Sequence, residues 1–88
     1  NLGFCRPGQA GKLIDQGVTA MDGALPVNPS GGVLATNCIG ATAMIRVAEA
    51  ALQIMGQAGK RQIPNAQRAL ATGYGGNAWT DALILARE

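Results

Sequence analysis

The chain contains no histidine, and only three of its 88 residues are aromatic, one each of Trp, Tyr and Phe. Without histidine the commonest neutral-pH general base is missing. A structural zinc site wants four Cys or His ligands, usually in close pairs. Two cysteines, Cys5 and Cys38, cannot supply it. They lie far apart and in no dense cysteine framework, so they read as two free thiols of a reducing cytoplasm rather than a disulfide. With so few aromatics, base-stacking platforms are excluded, and the basic residues are scattered apart from the adjacent Lys60 and Arg61. Charged residues make up 14% of the chain and the net charge is +2, which argues against a disordered tail. No apolar run reaches the ~18 residues of a membrane span. No basic stretch leads into an apolar one, so no signal peptide is read.

What the sequence does have is small apolar residues and 13 glycines. Its length supports one compact domain at most. The start, Leu2 to Phe4, reads as a helix tail entering the Arg6-Pro7-Gly8 turn. Gln9 to Gln16 predicts two helical turns ended by Gly17, and Asp22-Gly23 marks another turn. Ala24 to Asn28 is short and apolar, and Pro26 limits it to an edge strand or an extended segment. Asn28-Pro29-Ser30-Gly31-Gly32 reads either as a tight turn or as backbone offered to a ligand.

The strongest signal is a helix over 39–56. Ala41, Met44, Ile45, Ala48, Ala51, Leu52 and Met55 form an apolar stripe, opposed by Thr42, Arg46, Glu49 and Gln53. Arg46 and Glu49 are spaced to pair across one turn. Gly56 and Gly59 end the helix, and Lys60-Arg61 reads as a solvated, dipole-complementing helix end rather than a phosphate contact. Ile63-Pro64-Asn65 is a turn. Strands are predicted over 68–74 and 78–87, separated by Gly75 and Gly76. The mixture is α/β in class. Two strands leave unpaired sheet edges, and a sheet usually needs three or more strands for independent stability. The chain is therefore expected to be part of a larger domain.

Three features carry candidate chemistry. The glycines leading into the long helix could favour an anion at its N-terminus, or could simply be a helix entry with Asn37 as a cap. No phosphate-loop or dinucleotide motif occurs. Cys38 precedes the helix, where a thiol is acidified. With no histidine as its base, a small buried side chain is the preferred reading. Gly73-Tyr74-Gly75-Gly76-Asn77 reads equally as a hairpin turn or as close backbone approach to a substrate.

Leu2-Gly3-Phe4-Cys5, Gly23 to Gly32 (GALPVNPSGG), Ile39-Gly40-Ala41-Thr42, Gln53 to Gly59 (QIMGQAG) and Gly73-Tyr74-Gly75-Gly76 together resemble the C-terminal part of the thiolase superfamily. The nearest branch is that of the sterol-carrier-protein thiolases and thiolase-like lipid-transfer proteins. The resemblance covers nearly the whole chain. It implies the end of the second βαβαβαββ half of a thiolase-like fold: an extended segment, a long buried helix and two strands, with residues 1–88 as a C-terminal fragment. It also implies an acyltransferase acting on acyl-CoA thioesters, forming or cleaving carbon–carbon bonds, with coenzyme A thioester as substrate and no covalently bound cofactor. Its implied partners are the remainder of the thiolase chain, a second copy in a homo-oligomer and, as in many proteins of this branch, a small zinc-ribbon/OB-fold companion. Neither nucleic acid nor a membrane span is implied.

The family's nucleophilic cysteine comes from the first half, and an Asn-Glu loop from the second; this chain carries neither. Where the family has a Gly-His-Pro loop, this chain reads Thr36-Asn37-Cys38, in a loop one residue shorter. Asn37 falls at the histidine position and Cys38 at the proline position. Gly73 falls where the family's second catalytic cysteine stands. An amide at position 37 can donate a hydrogen bond to a thioester oxygen but cannot act as a base. The resemblance thus assigns Asn37 to the catalytic site and Gly75 and Gly76 to the acyl pocket. Alone, the chain lacks a nucleophile–base pair and is expected to be inactive. The alternative is a non-catalytic thiolase-fold subunit that binds acyl-CoA or a partner protein.

Overall fold

The computed structural model describes residues 2–36, 38–75 and 79–88. Helix α1 spans Ala10–Asp15, α2 Gly32–Ala35 and α3 Thr42–Met55, followed by a 3-10 turn over Gly59–Arg61. Strands β1 (Arg68–Tyr74) and β2 (Thr80–Ala86) form an antiparallel hairpin in which Arg68 faces Ala86 and Tyr74 faces Thr80. The strand over 68–74 and the turns at Gly8, Gly17 and Asn65 are as the sequence predicts. The short helix α2 and the 3-10 turn are not. Residues 3–5 form bends rather than a helix tail, and the Ala24–Asn28 segment is extended but joins no sheet.

Helices α1 and α3 end by the same device. Gly17 and Gly56 adopt left-handed φ values of 72°, which a residue lacking Cβ takes at no steric cost. At α3, Gly56 N–H donates to Gln53 O and Gln57 N–H to Leu52 O; at α1 the donors are Gly17 and Val18. Both are Schellman ends, which satisfy carbonyls the helix itself leaves unpaired. The extended segment is fastened to the chain before it, through Leu25 N–H to Val18 O and Val27 N–H to Thr19 O.

The core lies between α3 and β1. Ala50 and Ile54 of the helix, Ala58 beyond it and Ala71 of the strand are its buried apolar residues. At the other end of the contact a Cβ on Gly73 would lie 3.3 Å from the Ala43 Cβ. Two minimal residues there let helix and strand approach closely.

The apolar stripe read from the sequence is not the face that packs on the sheet. The buried face runs through Ala43, Ala50 and Ile54 and includes Gln53, which is only 6% exposed. Met44 and Met55 of the predicted stripe are 67% and 54% exposed. The helix is apolar over more than one face, and the hairpin covers only one of them. The expected polar stripe is in turn not a solvated one. Glu49 pairs with Arg61 rather than with Arg46, at 2.9 Å, and the basic pair at 60–61 is not simply a solvated helix end.

Candidate functional site

Asn28 has φ 50°, and Gly31 and Gly32 have φ 87° and 62°. Asparagine and glycine are the residues that tolerate this left-handed region. Gly31 N–H donates to Asn28 O at 2.8 Å, and a Cβ on Gly32 would lie 3.2 Å from the Asn28 side chain. The Asn-Pro-Ser-Gly-Gly stretch is therefore a tight reversal feeding α2, as the turn reading has it.

The chain then climbs into α3. Thr42 Oγ1 and Ala41 N–H both donate to the Cys38 carbonyl at 2.8 Å. The N-cap of α3 is Ala41, which makes no side-chain cap hydrogen bond. Cys38 itself is exposed, so the buried, pocket-filling role expected of it is corrected: its thiol fills no core space. Cys5 is half-buried, and the two cysteines form no disulfide. Asn37, assigned to the catalytic site by resemblance, lies outside the described residues, as does Gly76.

Gly75 is described. It closes β1, and its N–H donates to Trp79 O at 2.9 Å. A Cβ at this position would run into the Trp79 ring. A glycine at 75 is thus required by the Trp79 ring that lies against it. The Ala43–Gly73 contact places the first turn of α3 beside the end of β1. The loop carrying Cys38 enters at that same helix end, and Gly75 lies two residues beyond Gly73.

Two arrangements were missed by sequence reasoning. A groove of about 340 Å³ separates the Leu25–Ser30 segment from β1, with Val27, Arg46, Glu49, Ala69 and Thr72 among its lining residues. Neither Cys38 nor Gly75 lines it. The second is a polar cluster at the C-terminal end of α3. Gln53 Oε1 accepts the Ile63 N–H at 2.8 Å, while its Nε2 donates to Arg61 O at 2.7 Å and Glu49 Oε1 at 3.0 Å. Gln62 bridges back, donating to Gln53 O and accepting from Ala58 N–H. Glu49 is held below the ordinary carboxylate range, chiefly by its hydrogen bonds from Arg61 and against the opposing effect of burial. Arg61 is shifted upward by the same bonds. The cluster's signal was a glutamine between apolar residues one turn before a helix-ending glycine. Among the described residues no group of His, Cys, Asp and Glu could hold a metal ion, and no helix is long and apolar enough to cross a membrane.

No solved structure matches the chain. Among curated proteins it is 40% identical over 84 residues to "Acetyl-CoA acetyltransferase" of Methanothermobacter thermautotrophicus, covering 94% of this chain and 22% of that protein. It is 44% identical over 75 residues to "Sterol carrier protein 2" of Rattus norvegicus, covering 84% of this chain and 14% of that protein. "Non-specific lipid-transfer protein-like 2" of Caenorhabditis elegans is 35% identical over 75 residues, which are 84% of this chain and 18% of that protein. The chain thus spans less than a quarter of the length of these relatives. The family model described as thiolase C-terminal domain-like matches residues 1–87. A long helix on a two-stranded antiparallel sheet accords with an α/β thiolase-like fold, and with nearly every residue matched, this chain belongs to the thiolase C-terminal domain-like family.

Proposed function

We propose that residues 1–88 are the C-terminal part of a thiolase-like acyltransferase that acts on acyl-CoA thioesters and forms or cleaves carbon–carbon bonds. The family match over residues 1–87, together with the 40% identity to a protein named acetyl-CoA acetyltransferase, carries this reading. The chain supplies no histidine, and its exposed Cys38 has no base, so the nucleophile comes from the remainder of the thiolase chain. Coenzyme A thioester is substrate, not resident cofactor. The parent is cytoplasmic and works as a homo-oligomer, with a small zinc-ribbon/OB-fold companion as a further partner.

In this reading Asn37 donates its amide to the thioester oxygen as negative charge develops there, and Gly75 and Gly76 line the acyl pocket. A fixed donor aimed at a developing oxyanion works mainly in the transition state. The test uses the parent protein. Asn37→Ala is expected to lower kcat by ~3–4 kcal/mol of barrier, on the order of a hundred- to a thousand-fold, with acyl-CoA binding largely kept. Asn37→Asp is expected to be worse, since a carboxylate repels the oxyanion. If Asn37 has no part in the chemistry, Ala and Asp leave kcat little changed.

The absence of histidine and the similarity to proteins named for sterol carriage and lipid transfer favour a second reading. In it the parent is a non-catalytic thiolase-fold subunit that binds acyl-CoA or a partner protein. A parent that binds acyl-CoA but turns over none, with or without its companion, would select it.

A further inference from the structure

Beyond Ala71, β1 turns glycine rather than a side chain toward α3. Side chains alternate between the two faces of a strand. Ala71 is buried, and a Cβ on Gly73 would lie 3.3 Å from the Ala43 Cβ, so the face shared by 71, 73 and 75 is the one that meets the helix. Tyr74 is paired with Thr80, which makes Gly75 and Trp79 the next cross-strand pair, and the bond from Gly75 N–H to Trp79 O follows that register. Residues directly opposite one another in an antiparallel pair share a face. A Cβ on Gly75 would run into the Trp79 ring. The indole therefore stands on the helix side of the hairpin, over backbone that carries no side chain of its own.

That place is the end of the sheet where α3 begins. Ala43 belongs to the first turn of α3, and Gly75 is two residues past Gly73, about 7 Å further along the strand. The loop before the helix arrives at the same end, its Cys38 carbonyl held at 2.8 Å by both Ala41 N–H and Thr42 Oγ1. The core of the described residues, through Ala50, Ile54, Ala58 and Ala71, does not include Trp79. A large ring is thus set beside Gly75 without serving as a core side chain.

We propose that Trp79 sets the acyl-chain length accepted by the parent protein, its indole closing the acyl pocket beside Gly75. The inference rests on the acyl-CoA reading above and deepens it: the substrates are thioesters of short acyl groups, of about two to four carbons. The ring has strand backbone directly behind it. A fit that leaves no room even for a Cβ at position 75 leaves the ring no room to retreat. The distal methylenes of a longer chain need the volume that the ring fills, and forcing them in strains the hairpin as any overpacking does. Each methylene admitted to an apolar pocket is worth roughly fourfold in binding, so removal of the ring has a measurable signature.

The test measures kcat/KM of the parent protein with acetyl-, butyryl-, hexanoyl- and octanoyl-CoA, or Kd for the same thioesters if the parent binds them without turnover. The parent should lose on the order of tenfold or more between butyryl- and octanoyl-CoA. Trp79→Ala should raise the octanoyl-to-acetyl ratio by about tenfold or more, and Trp79→Phe by less. A folded Trp79→Ala that changes every chain length by the same factor, as loss of a purely structural contact would, overturns the proposal. So does a parent indifferent to chain length. A second measurement stands even if Trp79→Ala fails to fold. It is the difference in tryptophan fluorescence between the parent and Trp79→Phe, titrated with the thioether S-butyl-CoA. That difference should change in a way that coenzyme A alone does not produce, and no such change at saturation overturns the proposal. A parent that neither turns over nor binds any of the four thioesters overturns the acyl-CoA reading itself, and this inference with it.

Discussion

Gln53 and Ile63 are joined by a 2.8 Å hydrogen bond from the Ile63 backbone N–H to the buried Gln53 Oε1, and this bond ties the strand-leading turn to the last turn of α3. The same amide donates to Arg61 O, so one side chain satisfies both a donor and an acceptor of the connecting loop. Gln53→Leu keeps much of the volume and removes both partners. Leaving two part-buried backbone groups unpaired is expected to cost about 1–3 kcal/mol. Denaturant unfolding of the parent protein checks the magnitude, and amide exchange at Ile63 should accelerate in the same variant.

The Glu49–Arg61 pair makes stability depend on acid pH. The Glu49 carboxyl is held down in the folded chain, chiefly by hydrogen bonds from Arg61, so the folded state binds its proton less readily than the unfolded one. Its contribution is complete above the ordinary carboxylate value of about 4.3 and is lost as pH falls through the lower folded value. In the parent protein, melting temperature measured from pH 6 downward should therefore fall more steeply with Glu49 than with Glu49→Gln. The gap between them should narrow in high salt, since Arg61 is exposed.

Gly73 faces Ala43 at a separation that leaves an added methyl only 3.3 Å from its neighbour. Gly73→Val is expected to destabilise by about 1–3 kcal/mol through overpacking. Gly73→Ala should cost less, and Ala43→Gly in the same chain should recover much of that loss by restoring the space. Thermal melts of the parent protein carrying the two single substitutions and both together supply the cycle.

The apolar surface left open sets the behaviour of the isolated chain. Besides Met44 and Met55, Ile84 of β2 is left 71% exposed. Contiguous exposed apolar surface marks interaction sites or aggregation. The 88-residue chain alone is expected to be poorly soluble or loosely folded, without a sharp cooperative melt, and to cleave no acyl-CoA. Thiolytic turnover lost on Cys38→Ser would overturn the assignment of Cys38 to a non-catalytic role.

Turns and strands were largely legible in this sequence because they are written locally. Glycine at 17 and 56 and asparagine at 65 stand where a left-handed backbone is needed, and β1 is read to the residue. The family resemblance was equally legible, since it rests on contiguous motifs. What periodicity could not decide was the side on which α3 packs. Ala, Met, Ile and Leu lie around most of its circumference, so the pattern identifies a helix without identifying its neighbour. Gln53 and Arg46 stand on the opposing polar stripe in the sequence pattern, which does not show their partners: Ile63, Arg61 and Thr72 are brought to them by the chain beyond the helix. Cys38 was expected inside because its type is most often buried, and the loop before α3 carries it outward instead.

The closeness of Ala43 and Gly73 also works as a pivot. Helix and hairpin approach closely at that end, while the far end of β1, at Arg68, is six residues away along a strand that rises ~3.3 Å per residue. Bulk added at the pivot tilts a lever about 20 Å long, so a displacement of a few tenths of an ångström at Gly73 grows toward Arg68. The space between β1 and the Leu25–Val27 segment lies along that lever. The width of the groove is thereby set at a distance, by the absence of a side chain at one residue that does not line it.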